Sequence, residues 1–236
     1  MFFLENQGSQ AKFGKYRSYS VINPPVTNYK SQMTHHRSVD SKIKRSIDIL
    51  GAIVGLFLTA VIYIPLAIAI KLDDSGPIFY SQVRCGVNGK AFRIWKFRSM
   101  CTDAEQKKHL VENEAKGHIF KNENDPRITR VGKLIRKTSL DEFPQFLNVL
   151  LGQMSLVGTR PPTPGEVENY NEHHRLRLKV KPGITGEWQV KGRSSVKDFE
   201  DIVSLDLNYQ QKWSIWYDIK LILQTVRVVL GCKGAH

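Results

Sequence analysis

The stretch ILGAIVGLFLTAVIYIPLAIAI, residues 49–70, decides how this chain is organised, because its twenty-two residues carry no charge. As a helix it would extend roughly 33 Å, enough to cross the ~30 Å hydrocarbon core of a bilayer. Lys and Arg flank it on both sides, however, and such residues favour the cytoplasmic side. Pro65 lacks an N–H and bends a helix. We therefore predict a re-entrant helix-break-helix hairpin over residues 41–74; a single span that tolerates the proline is the alternative.

The chain has 236 residues and a formal net charge of +13. This length suits one domain together with a membrane segment and a tail. The positive charge favours anionic partners, which include lipid head groups, nucleic acid and phosphorylated substrates, and does not choose among them. Cys85, Cys101 and Cys232 lack C-x-x-C spacing. They therefore predict neither a disulfide framework nor a zinc site, and they suit a reducing cytosolic setting.

The regions on either side of the apolar run differ in character. Residues 1–40 mix aromatic and basic side chains without periodicity, so we predict a poorly ordered tail. Within residues 75–236, the segments 77–83 and 90–97 predict a β-hairpin, because the intervening Asn88-Gly89 tolerates the positive φ of a tight turn. An apolar, aromatic-led segment after Trp213 predicts an interfacial helix, with a buried core helix as the alternative.

Two polar segments follow the hairpin. Thr102 and Glu105 form a capping-box pattern, which predicts a polar helix ending near Gly117. Residues 125–137 place cationic side chains at helical spacing, on the side opposite Val131, Leu134 and Ile135. The predicted basic stripe consists of Arg127, Arg130, Lys133 and Arg136 or Lys137. Such a stripe is either a solvated face or a surface for lipid phosphates or a phosphorylated substrate.

Asp141 and Glu142 are adjacent carboxylates at a predicted helix N-terminus. Pro144 suits the first helical turn, and Gly152 suits the end of the helix. The positive end of the helix dipole and the nearby Arg136 favour an ionised carboxylate. An ionised carboxylate serves as a nucleophile or a metal ligand, whereas plain N-terminal capping is the alternative.

Two further loops each present an arginine. Arg160 lies in a proline-rich loop, where backbone rigidity fixes the direction of the side chain. Arg193 ends a second loop, residues 181–193, whose glycines permit close backbone approach to a ligand. Both loops suit the binding of a phosphate or nucleotide, and a purely structural role is equally allowed.

From Lys44 onward, a series of ordered motifs carries a family resemblance. The motifs are Lys-Arg-Ser-Ile-Asp (44–48), Lys-Phe-Arg-Ser-Met (96–100), Asp-Pro-Arg (125–127), Ser-Leu-Asp-Glu (139–142), Gly-Gln-Met-Ser (152–155), Arg-Pro (160–161), Lys-Pro-Gly (181–183) and Gly-Arg (192–193). They resemble the bacterial sugar transferase family, the monotopic phosphoglycosyl transferases. The resemblance implies an α+β, mostly helical fold that is membrane-associated, with residues 75–236 as its cytoplasmic catalytic domain.

The resemblance also implies a two-step reaction. In that family, the aspartate matching Asp141 attacks the β-phosphate of a UDP-sugar, releases UMP and keeps a covalent sugar phosphate, which undecaprenyl phosphate then accepts. Glu142 is implied as the second catalytic residue. Mg²⁺ is the implied cofactor, held by Asp141 and, as an option, Glu142. The implied substrate-binding residues are Lys96, Arg98, Arg136, Arg160 and Arg193.

The expected partners follow from that reaction. They are a UDP-sugar, undecaprenyl phosphate and the anionic lipids of the bacterial inner membrane, with the active site on the cytoplasmic face; a homodimer is possible. Residues 186–190 resemble members that transfer glucose or galactose phosphate in exopolysaccharide and O-antigen priming. An N-acetylated UDP-sugar is an alternative, as is a non-catalytic anchor that recruits polysaccharide enzymes. Nucleic acid is not an expected partner, because the chain carries the apolar run.

Overall fold

The computed structural model describes residues 34–192 and 196–231, and over these residues the chain is mostly helical with two small sheets. The α-helices are α1 (Lys42–Asp73), α2 (Arg130–Lys137), α3 (Phe146–Leu150), α4 (Pro164–Glu168), α5 (Glu172–Arg175), α6 (Glu187–Gly192), α7 (Phe199–Lys212) and α8 (Ile215–Leu230). The strands are β1 (Phe79–Cys85), β2 (Ala91–Phe97), β3 (Ser155–Val157) and β4 (Gly183–Thr185). The predicted α+β, mostly helical class is confirmed.

The apolar run lies within α1. Ser41 caps this helix by accepting a hydrogen bond from the N–H of Lys44. The helix continues through Pro65 without interruption, so the predicted break in the helix is not observed. Within the described residues, α1 is the one helix long and apolar enough to cross a membrane, by length and composition. Its outward face exposes large apolar side chains. These are Ile43, Leu50, Ile53, Val54, Phe57, Leu58, Val61, Tyr63, Ile64, Ile68 and Leu72.

The opposite face of α1 packs against the rest of the domain along its whole length. Near its start, the buried ammonium of Lys44 lies 2.6 Å from Oδ2 of Asp218. In the middle, a Cβ on Gly55 would lie 2.3 Å from the ring of Phe146, so only glycine fits. At its end, Asp73 accepts a hydrogen bond from the N–H of Val131. Both ends of α1 and its centre therefore contact one body.

The predicted hairpin is confirmed. β1 and β2 pair antiparallel, with Cys85 opposite Ala91 and Phe79 opposite Phe97. Asn88 and Gly89 adopt φ of 53° and 76°, the left-handed region that this turn requires. Side chains alternate between the two faces of a strand, so residues 80, 82 and 84 share one face with residues 92, 94 and 96.

The remaining core surrounds β3 and β4, which pair in parallel. One hydrophobic cluster joins Val157, Tyr209, Trp213 and Leu221. The buried ion pair Lys44–Asp218 adjoins this cluster, and Asp218 also accepts hydrogen bonds from Tyr209 and Trp213. A second buried ion pair, Arg177–Asp206, lies beside Tyr170 and Phe199 of another cluster. Because these charges are paired and hydrogen-bonded, their burial is tolerated.

The polar helix predicted from Thr102 to Gly117 is wrong. The described structure has only a 3₁₀ segment there, Gln106–Leu110. The segment has no apolar stripe to bury, and short helices without tertiary packing are marginal.

The prediction of a basic stripe over residues 127–137 is partly wrong. Arg127 precedes α2 and is buried in an ion pair with Asp125, so it does not belong to the exposed stripe. Leu134, predicted on the apolar face, is 62% exposed, whereas Ile135 is buried. Arg130 and Lys133 lie on the exposed side of α2.

At the two ends of the described chain, the structure adds detail to the predictions. Residues 1–33 of the predicted tail lie outside the described residues. Residues 34–40 pack onto Trp213, with the guanidinium of Arg37 5.3 Å from the centre of its ring. α8 buries Leu221 and leaves Trp216 79% exposed, so the helix has one face in the core and one face outward.

Candidate active site

The hairpin presents Lys96 to the Asp141-Glu142 pair. Its ammonium lies 3.1 Å from Oε1 of Glu142 and 3.8 Å from Oδ2 of Asp141. Lys96 is the last but one residue of β2 and lies on the strand face shared with Ile94. The strand alternation therefore aims this cation at the carboxylates.

The carboxylate pair begins a 3₁₀ segment, Leu140–Gln145, that runs into α3. The preceding Ser139 has φ of 59°, a left-handed conformation that residues other than glycine rarely adopt and that often marks a functional site. Asp141 is 5% exposed. The predicted single α-helix from Asp141 to Gly152 is thus a 3₁₀ turn followed by a short α-helix.

Contacts from α1 and β2 fix this segment in place. Asn148 donates a hydrogen bond to the carbonyl of Arg93 in β2. Arg45 in α1 donates to the carbonyls of Val149 and Leu150 at the end of α3, both at 2.7 Å. Cations at a helix C-terminus are favourable. The position of the carboxylates therefore depends on the apolar helix and on the hairpin together.

A cleft opens beside the carboxylate pair. Its lining combines cationic, amide and aromatic groups: Arg84, Ile94, Lys96, Glu142, Gln145, Arg160, Pro161, Gly183, Ile184, Trp188 and Gln189. Glu142 lines the cleft directly, whereas Asp141 is more deeply buried than its neighbour. A small set of placed polar groups in a concave site is typical of ligand pockets.

Arg160 is held by a bidentate ion pair with Glu166, at 3.0 and 3.2 Å. Glu166 also accepts from the N–H of Thr163 in a reciprocal capping box at the start of α4. Burial acts to raise the pKa of Glu166, but the charge and hydrogen bonds of Arg160 and the Thr163 N–H outweigh it, so the pKa lies below its ordinary value. The predicted rigidity of the Arg160 loop has a specific source in these bonds.

The structure separates the predicted substrate-binding residues into three groups. Lys96 and Arg160 line the cleft. Arg98 instead pairs with Asp74 at 3.4 Å, just past α1, and Arg136 lies in the last turn of α2 outside the cleft lining. Arg193 lies outside the described residues.

Sequence reasoning missed several cleft residues, and Arg84 is the most informative of them. The sequence gives no signal for it: a two-residue Asn88-Gly89 loop would pair Arg84 with Arg93, whereas the structure pairs Arg84 with Phe92 and so puts it on the same strand face as Lys96. Trp188 and Gln189 gave no signal either, because only the tertiary fold brings α6 to the cleft.

The site has the donors that Mg²⁺ requires. Within the described residues, no group of three His, Cys, Asp or Glu side chains is placed to hold a metal. Mg²⁺, however, usually binds one or two carboxylates and completes its shell with water and substrate phosphates. Asp141 and Glu142 supply two carboxylates beside Lys96. Their oxygen donors fit such a cation bound together with a phosphorylated substrate.

The chain is similar in sequence to several known proteins. The chain is 52% identical over 222 residues to "Galactosyl transferase CpsE" of Streptococcus agalactiae, covering 93% of this chain and 48% of that protein. It is 42% identical over 220 residues to "UDP-glucose:undecaprenyl-phosphate glucose-1-phosphate transferase" of Escherichia coli, covering 90% and 45%. The chain thus spans about half the length of these two relatives. It is also 36% identical over 209 residues to "Exopolysaccharide production protein ExoY" of Rhizobium meliloti, covering 85% and 91%.

The family description "Bacterial sugar transferase" matches residues 39–232, which includes α1, the hairpin, the carboxylate pair and the cleft. The match therefore covers every element that builds the site. This chain belongs to the bacterial sugar transferase family.

Proposed function

We propose that the protein transfers a hexose-1-phosphate from a UDP-sugar to undecaprenyl phosphate, releasing UMP, as the first membrane step in the synthesis of a bacterial surface polysaccharide. The observation that carries the proposal is the contact of Lys96 with both Asp141 and Glu142 beside a cleft that also presents Arg160. An anionic nucleophile next to fixed cations suits phosphoryl transfer.

In the first half-reaction, a carboxylate oxygen of Asp141 forms a bond to the β-phosphorus. The bond from that phosphorus to the bridging oxygen breaks, and its electron pair leaves with UMP. Lys96 and Arg160 bind phosphate oxygens and stabilise their charge. Mg²⁺, when bound to the two carboxylates, would neutralise the phosphate oxygens that otherwise repel the nucleophile.

In the second half-reaction, an oxygen of the lipid phosphate attacks the same phosphorus and Asp141 leaves as a carboxylate. The product is a lipid diphosphate sugar, and the enzyme returns to its starting state. Glu142 is placed at the cleft surface, where it can position the acceptor phosphate or take up its proton. Splitting one transfer into two displacements lowers each barrier.

We propose that α1 holds this site against the cytoplasmic face of the inner membrane. The contacts of Lys44, Gly55 and Asp73 with one body support a helix that enters and leaves by the same face. The outward apolar side chains of α1 would then lie among lipid tails, and the helix would have to bend in the membrane at the exposed Pro65. Trp216 on α8 suits the membrane interface. A homodimer stays a prediction.

The relatives named for glucose and galactose transfer favour UDP-glucose or UDP-galactose as the donor. The test is UMP release across a panel of UDP-sugars, including N-acetylated ones, with undecaprenyl phosphate and Mg²⁺. Release with one or two hexose donors supports the proposal. Release only with an N-acetylated donor would correct the substrate, and no release with any donor would favour a non-catalytic membrane anchor.

A further inference from the structure

Arg84 lines the cleft and lies outside the motifs quoted above. It lies on the same strand face as Lys96, and its guanidinium is oriented by two hydrogen bonds, from Nη1 to the carbonyl of Pro161 at 3.0 Å and from Nη2 to Oε1 of Gln82 at 2.6 Å. The backbone N–H of the next residue, Cys85, donates to the carbonyl of Pro162 at 2.8 Å. Arg84 is therefore fixed against the loop that carries Arg160.

The charges in the cleft are divided between its two ends. At one end, Asp141 and Glu142 face Lys96. At the other end, Glu166 forms an ion pair with Arg160, and its charge also acts on Arg84. Arg84 lies opposite Phe92 in the hairpin, and Phe92 is four residues from Lys96 along β2. The backbone positions of Arg84 and Lys96 are therefore separated by roughly 13 Å along the strand direction. The cleft thus has a carboxylate end and a guanidinium end.

The two guanidinium groups in the cleft repel each other. Burial and the charge of Arg160 lower the pKa of Arg84 to about 10. Arg84 still remains cationic at neutral pH, and its Nε is buried without a hydrogen-bond partner. A bound phosphate would supply the missing negative charge and accept charge-assisted hydrogen bonds.

Resting on the proposed function, we propose that Arg84, together with Arg160, binds the phosphate of the leaving nucleotide and is thus a further substrate-binding residue. The transferred phosphate would lie at the carboxylate end, within reach of Asp141. The second phosphate of the donor would lie at the guanidinium end. When the bond to the bridging oxygen breaks, the electron pair passes to the phosphate of UMP, and Arg84 stabilises the charge gained there.

The experiment compares the binding of UMP and uridine, measured by calorimetry on the detergent-solubilised full chain. Arg84→Gln is expected to weaken UMP binding about 10- to 100-fold, because hydrogen bonds to charged groups are lost. Arg84→Lys should be intermediate, since it keeps the charge but not the planar fork. Affinity for uridine, which lacks the phosphate, should stay within about twofold. Arg93→Gln is the matched control, because Arg93 lies on the opposite strand face and contacts Ser81.

Two outcomes would overturn the inference. Unchanged UMP affinity in Arg84→Gln would exclude a phosphate contact. Equal weakening for UMP and uridine would assign Arg84 a structural role in holding the Arg160 loop. If Arg84→Gln does not fold, the comparison of UMP with uridine in Arg84→Lys decides the question. The variants could bind UMP and uridine as expected while the wild-type protein releases no UMP from any UDP-sugar. That result would support the phosphate site and contradict the proposed reaction, so a failure of one proposal is distinguishable from a failure of the other.

Discussion

The ammonium of Lys96 lies 3.1 Å from the carboxylate of Glu142 and 3.8 Å from that of Asp141, so one cation from the hairpin faces both acidic groups of the 3₁₀ segment. Lys96→Met removes this charge while keeping an unbranched side chain. We expect UMP release to fall by about 100-fold, the size of effect seen when a fixed electrostatic contact in an active site is lost. The measurement is steady-state UMP release. Lys90→Met, at the exposed hairpin turn, is the control and should keep wild-type activity.

Asp141 is the proposed nucleophile. Asp141→Asn keeps the shape of the side chain but removes the anionic oxygen, so UMP release and the covalent sugar-phosphate adduct should both disappear. Intact-protein mass spectrometry after incubation with a UDP-sugar detects the adduct. Asp103→Asn, an exposed carboxylate paired with Lys107, is the control. Full turnover by Asp141→Asn would be incompatible with the proposed mechanism.

Gly55 allows α1 to approach Phe146, because a Cβ there would meet the ring at 2.3 Å. Gly55→Val should therefore destabilise the protein by about 1–3 kcal/mol through overpacking. Because Phe146 begins α3, UMP release should fall as well. Denaturant unfolding in one detergent measures the change. Val54→Leu, on the outward face of the same helix, should be nearly neutral.

The outward face of α1 is proposed to contact lipid tails. Phe57→Asp combined with Val61→Asp places two charges there, and charges in hydrocarbon are strongly disfavoured. We expect the double variant to lose cosedimentation with vesicles of phosphatidylethanolamine and phosphatidylglycerol. Leu110→Asp, an exposed apolar residue in a 3₁₀ segment, should still bind. Binding by the double variant would count against the lipid contact.

The two ends of α1 provide an independent test of its topology. In a chain whose three native cysteines are replaced by serine, cysteines placed at Ser41 and Ser75 should both react with an impermeant thiol reagent from the cytoplasmic side. Labelling from opposite sides would indicate a simple span.

The depressed pKa of Glu166 predicts a pH dependence of stability. Its contribution is fully present above the ordinary glutamate pKa of 4.5, and it is lost as the pH falls through the lower pKa of the folded state. Wild-type protein should therefore lose stability below about pH 4.5 more steeply than Glu166→Gln. Unfolding midpoints from pH 3 to pH 7 measure the difference. If the unfolding midpoints of wild type and Glu166→Gln fell in parallel as the pH is lowered, the loss of stability would not come from protonation of Glu166.

The sequence predicted those parts of the site that depend on local pattern. The hairpin followed from Asn88-Gly89, and the Asp141-Glu142 segment from Pro144, because turn and helix-end chemistry is short-range. The capping-box pattern at Thr102 predicted a helix that does not form, because no apolar face supports a helix there. The roles of Arg98 and Arg127 involve partners at Asp74 and Asp125, and one sequence does not show whether an arginine faces a ligand or an internal carboxylate.

Contacts between residues that are far apart in the chain could not be predicted from local sequence patterns. Arg160 depends on Glu166, and the cleft depends on Trp188 and Gln189 reaching it from α6. The packing of α1 was equally hidden, because hydropathy measures how apolar a helix is and not which of its faces meets protein. The fit of Gly55 against Phe146 is visible only in three dimensions.

That fit means that the proposed membrane helix and the domain that carries the carboxylate pair share one interior. Ala52, Leu66 and Ile70 are buried with residues of the hairpin, α2 and α3. Removing α1 to obtain a detergent-free enzyme would therefore strip away part of the core, and exchanging it for a generic apolar helix would lose the glycine contacts. Solubilisation should instead replace only the outward side chains of α1 and leave its inner face untouched.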